Sequence, residues 1–363
     1  MVAKDLTTLH VPELSVPFDV VVNAQTQTMA EMIGHWVYEM GLCPDPRHAA
    51  QLGMVSTSCT ACVYPAANGA CAQMLSCYVA WGFCIDDMHD SSAHSEQALL
   101  GINEQCMQLL TVLEMPDAVR MDDDPFVRSW ADVARSIHSL ASASTLGRAV
   151  AGFRSYMLGS IQQAALLHSK MLPTLSEYLS FRYASGAGGT LGHMVELSLE
   201  GQVPNAEIES PMGRAAAEIA GTIMLIDNEI FSRKKEMARG EYDCSLIRVL
   251  QNENPQLSLQ DAVYTTIAIR NRILEIFIRL KDRLLDGGAS PEMHAYLEAL
   301  GHALAGAIRF FETSSRYMAG STHAADEPQP VAIAKLPEPP YLPDVARWER
   351  LLAHMPEEKI YAV

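Results

Sequence analysis

The chain has 363 residues, 49% of them hydrophobic, a formal net charge of −17 and a pI near 5.1. That apolar content suffices for a large buried core, and the acidic balance speaks against nucleic acid, whose binders carry basic patches. No apolar run approaches the roughly 20 residues of a membrane span and no basic-then-apolar leader opens the chain. A soluble, cytoplasmic protein without a membrane span is therefore expected.

In chain order, residues 1–18 hold Pro12 and Pro17 and are expected to run extended over the surface. Residues 24–40 carry apolar side chains at helical spacing, and 74–85 are apolar enough to read as a buried helix. The helical period returns over 96–113, 124–140, 146–166, 212–237, 258–285 and 291–319. Breaks stand at Cys43-Pro44, Met115-Pro116, Leu172-Pro173, Gly287-Gly288 and Ser290-Pro291. Strand signals are sparse. An all-α, single-domain bundle over 19–320 is expected, with a ligand site in a central cavity between facing helices. Residues 321–363 begin Pro-rich and end in a short amphipathic stretch, 344–354, with Trp348, Leu351 and Leu352. This tail is expected to be disordered, with docking on the bundle or on a partner as the alternative. Of eight cysteines, Cys59 and Cys62 form a CxxC without a second matching pair. Reduced, buried thiols are expected rather than zinc ligands.

Two polar clusters interrupt this pattern. Asp86-Asp87-Met88-His89-Asp90 follows the apolar run 74–85. Asp86 and Asp90, four residues apart, share a helix face with Cβ atoms about 5–6 Å apart, a pair able to grip an oxygen-seeking cation such as Mg²⁺. Taken alone, such a cluster is more often a solvated helix end or a turn. His89 is not expected to be a ligand, because Mg²⁺ prefers oxygen. Further on, Asn228, Ser232 and Glu236 recur every fourth residue and line one helical stripe with Lys235 beside it. Amide oxygen, hydroxyl and carboxylate in a row suit a second divalent cation, although a solvated face would look the same.

Together the clusters resemble the DDxxD and N-x-x-x-S-x-x-K-E motifs of class I terpene synthases, the microbial cyclases of linear isoprenyl diphosphates. Arg182, 46 residues before Asn228, resembles their diphosphate-sensing arginine. Ser185 and Gly186 fall at their linker and effector positions, and Arg316-Tyr317 resembles their C-terminal RY pair. The resemblance covers roughly residues 15–320. It implies the family's helical bundle and three Mg²⁺ ions held by Asp86, Asp90, Asn228, Ser232 and Glu236, with Asp87 as a further motif residue. It also implies that Arg182, Lys235, Arg316 and Tyr317 hydrogen-bond the diphosphate, and it allows a homodimer. Phe83, three residues before Asp86, and Phe310, six before Arg316, become candidates to stabilise a carbocation, with ordinary core packing as the alternative. Gly82 stands where the family often has an aromatic; it either widens the pocket or marks a close helix crossing. Farnesyl diphosphate is slightly favoured as substrate over geranylgeranyl diphosphate. A chain-elongating prenyltransferase would show a second DDxxD, and a di-iron bundle would show Glu-x-x-His repeats; the sequence offers neither. A non-catalytic scaffold would leave four ordered motifs unexplained.

Overall fold

The computed structural model describes residues 11–92, 95–118, 124–239, 244–318 and 336–354, with the backbone alone at 90–92, 234–239 and 318. Its elements follow from local chemistry. Asn23 caps α1 (Ala24–Gln27) by accepting from the Gln25 and Thr26 amides, and its own amide donates to Pro65 O and Ala67 O. A turn at Thr28-Met29 separates α1 from α2 (Ala30–Glu39), dividing the expected 24–40 helix. Asp-Pro and Ser-Pro pairs open α3 (Pro46–Val63), α6 (Pro125–Leu140) and α14 (Pro291–Thr313), where the cap oxygen accepts an amide and proline supplies the preset φ. Serine caps likewise open α5 (Glu96–Glu114), α7 (Ala143–Ser169), α12 (Leu246–Glu253) and α13 (Leu259–Asp286). The long α4 (Gly69–Ser92) and α11 (Pro211–Arg239) carry the two polar clusters. Between them lie α8 (Leu175–Ser185), α9 (Gly188–Ser198) and the single turn α10 (Asn205–Ile208). No strand occurs among the described residues, and none of their helices is long and apolar enough to cross a membrane.

Several helices meet backbone to backbone. A Cβ on Gly53 of α3 would lie 2.4 Å from Ala30 O and Gly34 N, and one on Gly306 of α14 would lie 1.8 Å from Cys62 O. Only glycine permits these crossings. Deep in the bundle, Arg270 of α13 pairs with Asp227 of α11 through Nε–Oδ1 at 2.8 Å and Nη2–Oδ2 at 3.0 Å. Arg270 Nη1 also donates to Ser15 O at 2.8 Å, pinning the extended N-terminal segment to the core. The eight cysteines are all free thiols. Burial pushes Cys77, Cys84 and Cys106 each up to about 12.

Two elements near the end of the chain depart from expectation. The 291–319 helix divides at Ser314, which is extended (φ −80°, ψ 132°), and the chain resumes as the single turn α15 (Ser315–Met318). That break aims Arg316 and Tyr317 back over the bundle. Within the tail expected to be disordered, α16 (Pro343–His354) forms and its Trp348 is only 1% exposed; residues 319–335 and 355–363 lie outside the described residues. Trp348 Nε1 donates to Glu218 Oε2 at 3.2 Å, and Arg347 Nη2 reaches Glu218 Oε1 at 2.5 Å. Arg272 Nε donates to Glu349, and Arg283 Nη1 to Leu352 O at 2.6 Å. The helix is held by burial of Trp348 and Leu352 together with the polar contacts of Arg347 and Glu349. Glu218→Ala strips the partner from a buried indole N–H, so it should cost about 1–3 kcal/mol in urea unfolding. Wild-type stability would mean that α16 docks through apolar contact alone.

Candidate active site

A cavity of about 1010 Å³ opens among α4, α8, α11 and α14. Its wall is aromatic, with Trp81, Phe83, Tyr156, Phe181, Phe310 and Phe311, and its polar groups include Asp86, Asp87, Arg182, Asn228, Glu229 and Tyr317. Residues from both polar clusters, distant in sequence, thus share one cavity with residues from the third and fourth motifs.

On α4, Gly82, Phe83, Asp86 and Asp87 all line the cavity, within about a turn and a half of helix. Asp87 accepts a bidentate pair from Arg316, Nη1–Oδ2 and Nη2–Oδ1 both at 3.0 Å. The guanidinium sits 4.4 Å above the Phe83 ring centroid. Burial works against the Arg316 charge, but the Asp87 carboxylate outweighs it and holds the group firmly protonated. Phe83 lies nearly parallel to Phe310, with ring centroids 6.4 Å apart and an interplanar angle of 10°. Phe310 in turn meets Tyr317 edge to face at 5.8 Å. Thus one face of Phe83 supports a protein cation.

On the facing wall, Arg182 Nη2 donates to Asn228 Oδ1 at 3.1 Å, and Asn228 Nδ2 donates to the Tyr317 hydroxyl at 2.9 Å. Three sequence motifs are therefore joined in one chain of hydrogen bonds. Ser232 Oγ is buried without a hydrogen-bond partner, as is Ser185 Oγ. The side chains of Asp90, Lys235 and Glu236 lie outside the described residues. Gly186 ends α8, and Ala187 takes the left-handed conformation (φ 60°) that starts α9. A Cβ on Gly186 would come within 2.4 Å of Leu225 and 3.1 Å of Arg182 Nη1, so glycine is required beside the arginine. His89 is turned away to Gln105 Oε1 at 3.0 Å, and burial lowers its pKa, which keeps the ring neutral.

Several residues of the site were not singled out from the sequence. Lys170, in a left-handed cap of α7, lines the cavity, as does Gln163. Glu229 contacts Arg182 Nε at 2.8 Å, accepts the Leu246 amide at 3.0 Å and accepts the Tyr178 hydroxyl. Its position beside Asn228 was visible, but its partners come from α8 and α12, which carry little amphipathic signal or are short.

The donor set can be tested against a divalent metal. Among the described residues no three His, Cys, Asp or Glu side chains converge. The available donors are the Asp86 carboxylate, the Asn228 amide and the orphaned Ser232 hydroxyl. All are oxygen, the chemistry that Mg²⁺ takes, and a buried hydroxyl without a partner is costly unless something binds it.

A model of the family described as "Terpene synthase family 2, C-terminal metal binding" matches residues 77–275, more than half of the chain. The chain belongs to this family of terpene synthases. The match begins inside α4 and runs past α11, so both polar clusters fall within it. This terpene synthase is 29% identical over 280 residues to spiroviolene synthase of Streptomyces violens, covering 75% of this chain and 77% of that one. It is 25% identical to the farnesyl-diphosphate-cyclising 4-epi-cubebol synthase of Streptosporangium roseum, with coverage of 85% and 92%. It is 26% identical to a diterpene cyclase of a Streptomyces species, with coverage of 90% and 89%. Among solved structures, a variant of the protein SVS_A2 from ancestral sequence reconstruction superposes with a TM-score of 0.79 at 25% identity, covering 94% of this chain and 99% of that one. The terpene synthase is thus a lyase with the class I helical fold, as its motifs suggested.

Proposed function

We propose that this enzyme ionises and cyclises geranylgeranyl diphosphate in a Mg²⁺-dependent reaction. The size of the cavity carries this reading. At about 1010 Å³ it lies at the top of the roughly 300–1,000 Å³ range usual for small-molecule sites. Gly82 keeps it open, since a Cβ built there would meet nothing within 4 Å. The sequence alone leaned to the shorter farnesyl diphosphate; the volume tilts the choice toward the C20 chain. Farnesyl diphosphate is the second reading, favoured by the relative that cyclises it.

In this reading Asp86, Asn228 and Ser232, with Asp90 and Glu236 from the same motifs, hold the Mg²⁺ ions. When bound, the cations supply positive charge to the departing diphosphate and so ease cleavage of its bond to carbon. Arg182 donates guanidinium hydrogen bonds to the same leaving group, and Arg316, Lys235 and Tyr317 add theirs. The bidentate Asp87 pair and the Phe83 ring keep Arg316 oriented before substrate arrives. The bond electrons leave with diphosphate, and the allylic cation remains in the aromatic part of the cavity. There Phe310 and its neighbours stabilise positive charge through their ring faces, and the apolar wall keeps out water that would quench it.

Purified protein supplied with Mg²⁺ and C15 or C20 diphosphate, followed by gas chromatography–mass spectrometry, tests the reading. A cyclic C20 hydrocarbon or alcohol is expected as the dominant product, and cyclisation of the C15 chain alone would refute the choice of substrate. Gly82→Phe fills the open space and should disfavour the longer chain by about 1–3 kcal/mol, about 5- to 150-fold in relative kcat/KM. An unchanged ratio would place Gly82 away from the prenyl chain.

A further inference from the structure

Arg182 is half-buried at the cavity wall, where its orientation has to be enforced. Ser185, at the linker position of the α8–α9 break, does not enforce it, because its hydroxyl has no hydrogen-bond partner. The carboxylate beside Arg182 comes instead from α11. Glu229 is 5% exposed, and its Oε1 lies 2.8 Å from Arg182 Nε. The same oxygen accepts the Tyr178 hydroxyl from one turn earlier on α8. Its other oxygen accepts the Leu246 amide at 3.0 Å, at the start of α12. The carboxylate is thereby fixed from both sides. The guanidinium is held from two sides as well, since its Nη2 donates to Asn228.

We propose that Glu229 is the positioning residue for Arg182, a buried carboxylate locked by Tyr178 and the α12 amide that presets the guanidinium fork for diphosphate. The proposal rests on the reading that Arg182 binds the diphosphate. Its physical basis is that a planar guanidinium recognises phosphate oxygens only in a defined orientation, and that an ion-pair partner and a hydrogen-bond partner, both fixed, reduce the freedom lost on binding. Glu229 also balances the Arg182 charge before the substrate arrives, which limits the cost of keeping that charge in a half-dry cavity. It acts through Arg182 and need not touch the substrate.

The test is a double-mutant cycle in the full chain. Glu229→Gln keeps shape but removes the charge, and should lower kcat/KM about 10- to 100-fold. Calorimetric titration with inorganic diphosphate in Mg²⁺ buffer should show weakened binding in the same variant. Glu229→Gln combined with Arg182→Lys should be little worse than Arg182→Lys alone, because both changes damage one interaction. Tyr178→Phe, a milder change that serves if Glu229→Gln does not fold, should lower kcat/KM about 3- to 10-fold with the same non-additivity. Multiplicative effects of the two sites, or diphosphate binding unchanged in a folded Tyr178→Phe or Glu229→Gln protein, would overturn the proposal. Wild-type behaviour of Arg182→Lys by itself would instead refute the diphosphate role of Arg182, so the two failures are distinguishable.

Discussion

Replacing Asp86 with alanine should lower kcat by about 10²- to 10³-fold, because it removes an oxygen ligand of the cation that would receive the leaving diphosphate. Asp86 lines the cavity with Gly82 and Phe83 of its own helix, as do Asn228 and Glu229 of α11. Its neighbour Asp87 is committed to Arg316, so it cannot take over the vacated role without releasing that arginine. The variant should melt close to the parent temperature, and EDTA should abolish the activity of the parent. Near-parental turnover, or activity in metal-free buffer, would show that the aspartate cluster is only a polar helix face. Steady-state kinetics with the C20 and C15 diphosphates provide the measurement.

The largest effect on stability should come from the Asp227–Arg270 pair. Both side chains are essentially unexposed, at 0% and 1%. Burial pushes the Asp227 carboxyl up and the two Arg270 bonds pull it back. Asp227→Ala leaves an uncompensated buried guanidinium and should cost about 3–5 kcal/mol, read as a lower urea midpoint. The double replacement Asp227→Leu with Arg270→Met removes both charges and should recover most of that loss, because a desolvated ion pair is worth little more than well-packed apolar residues. It would still release the segment at Ser15, whose carbonyl Arg270 holds. A single variant that unfolds like the parent would show that water reaches the pair.

The sequence was most legible where helices are long, capped and amphipathic. The helices α5, α6, α7, α11 and α13 lie close to their expected bounds because apolar periodicity and Ser, Asp or Pro caps agree. Helix α3 was missed because its buried face is small and polar, with Ser56, Thr57 and Thr60 satisfying helical geometry without hydrophobic contrast. Helices α8 and α9 were obscured by the glycines that let them meet at Gly186. The candidate site was legible as motifs but not as a circuit. No pattern in the sequence announces that Asp87 pairs with Arg316, or that Glu229 ties α8 to α12, because those contacts depend on how three helices come together. The docking of residues 343–354 was kept only as the alternative because prolines speak for the local chain, whereas docking depends on a distant acceptor, Glu218.

The buried thiols carry a consequence for how this protein ages. Alkylating and oxidising reagents attack the thiolate, and for a group held at about 12 the thiolate fraction at pH 7 is about 10⁻⁵. Cys77 and Cys106 are also shut away from solvent. Their modification must wait for the surrounding helices to part, so the pace of chemical damage becomes the pace at which the bundle breathes. Cys77 and Cys106 are in this way guarded by the rigidity of the bundle, and mass-spectrometric counting of blockage at these two thiols over time becomes a clock for its rare openings.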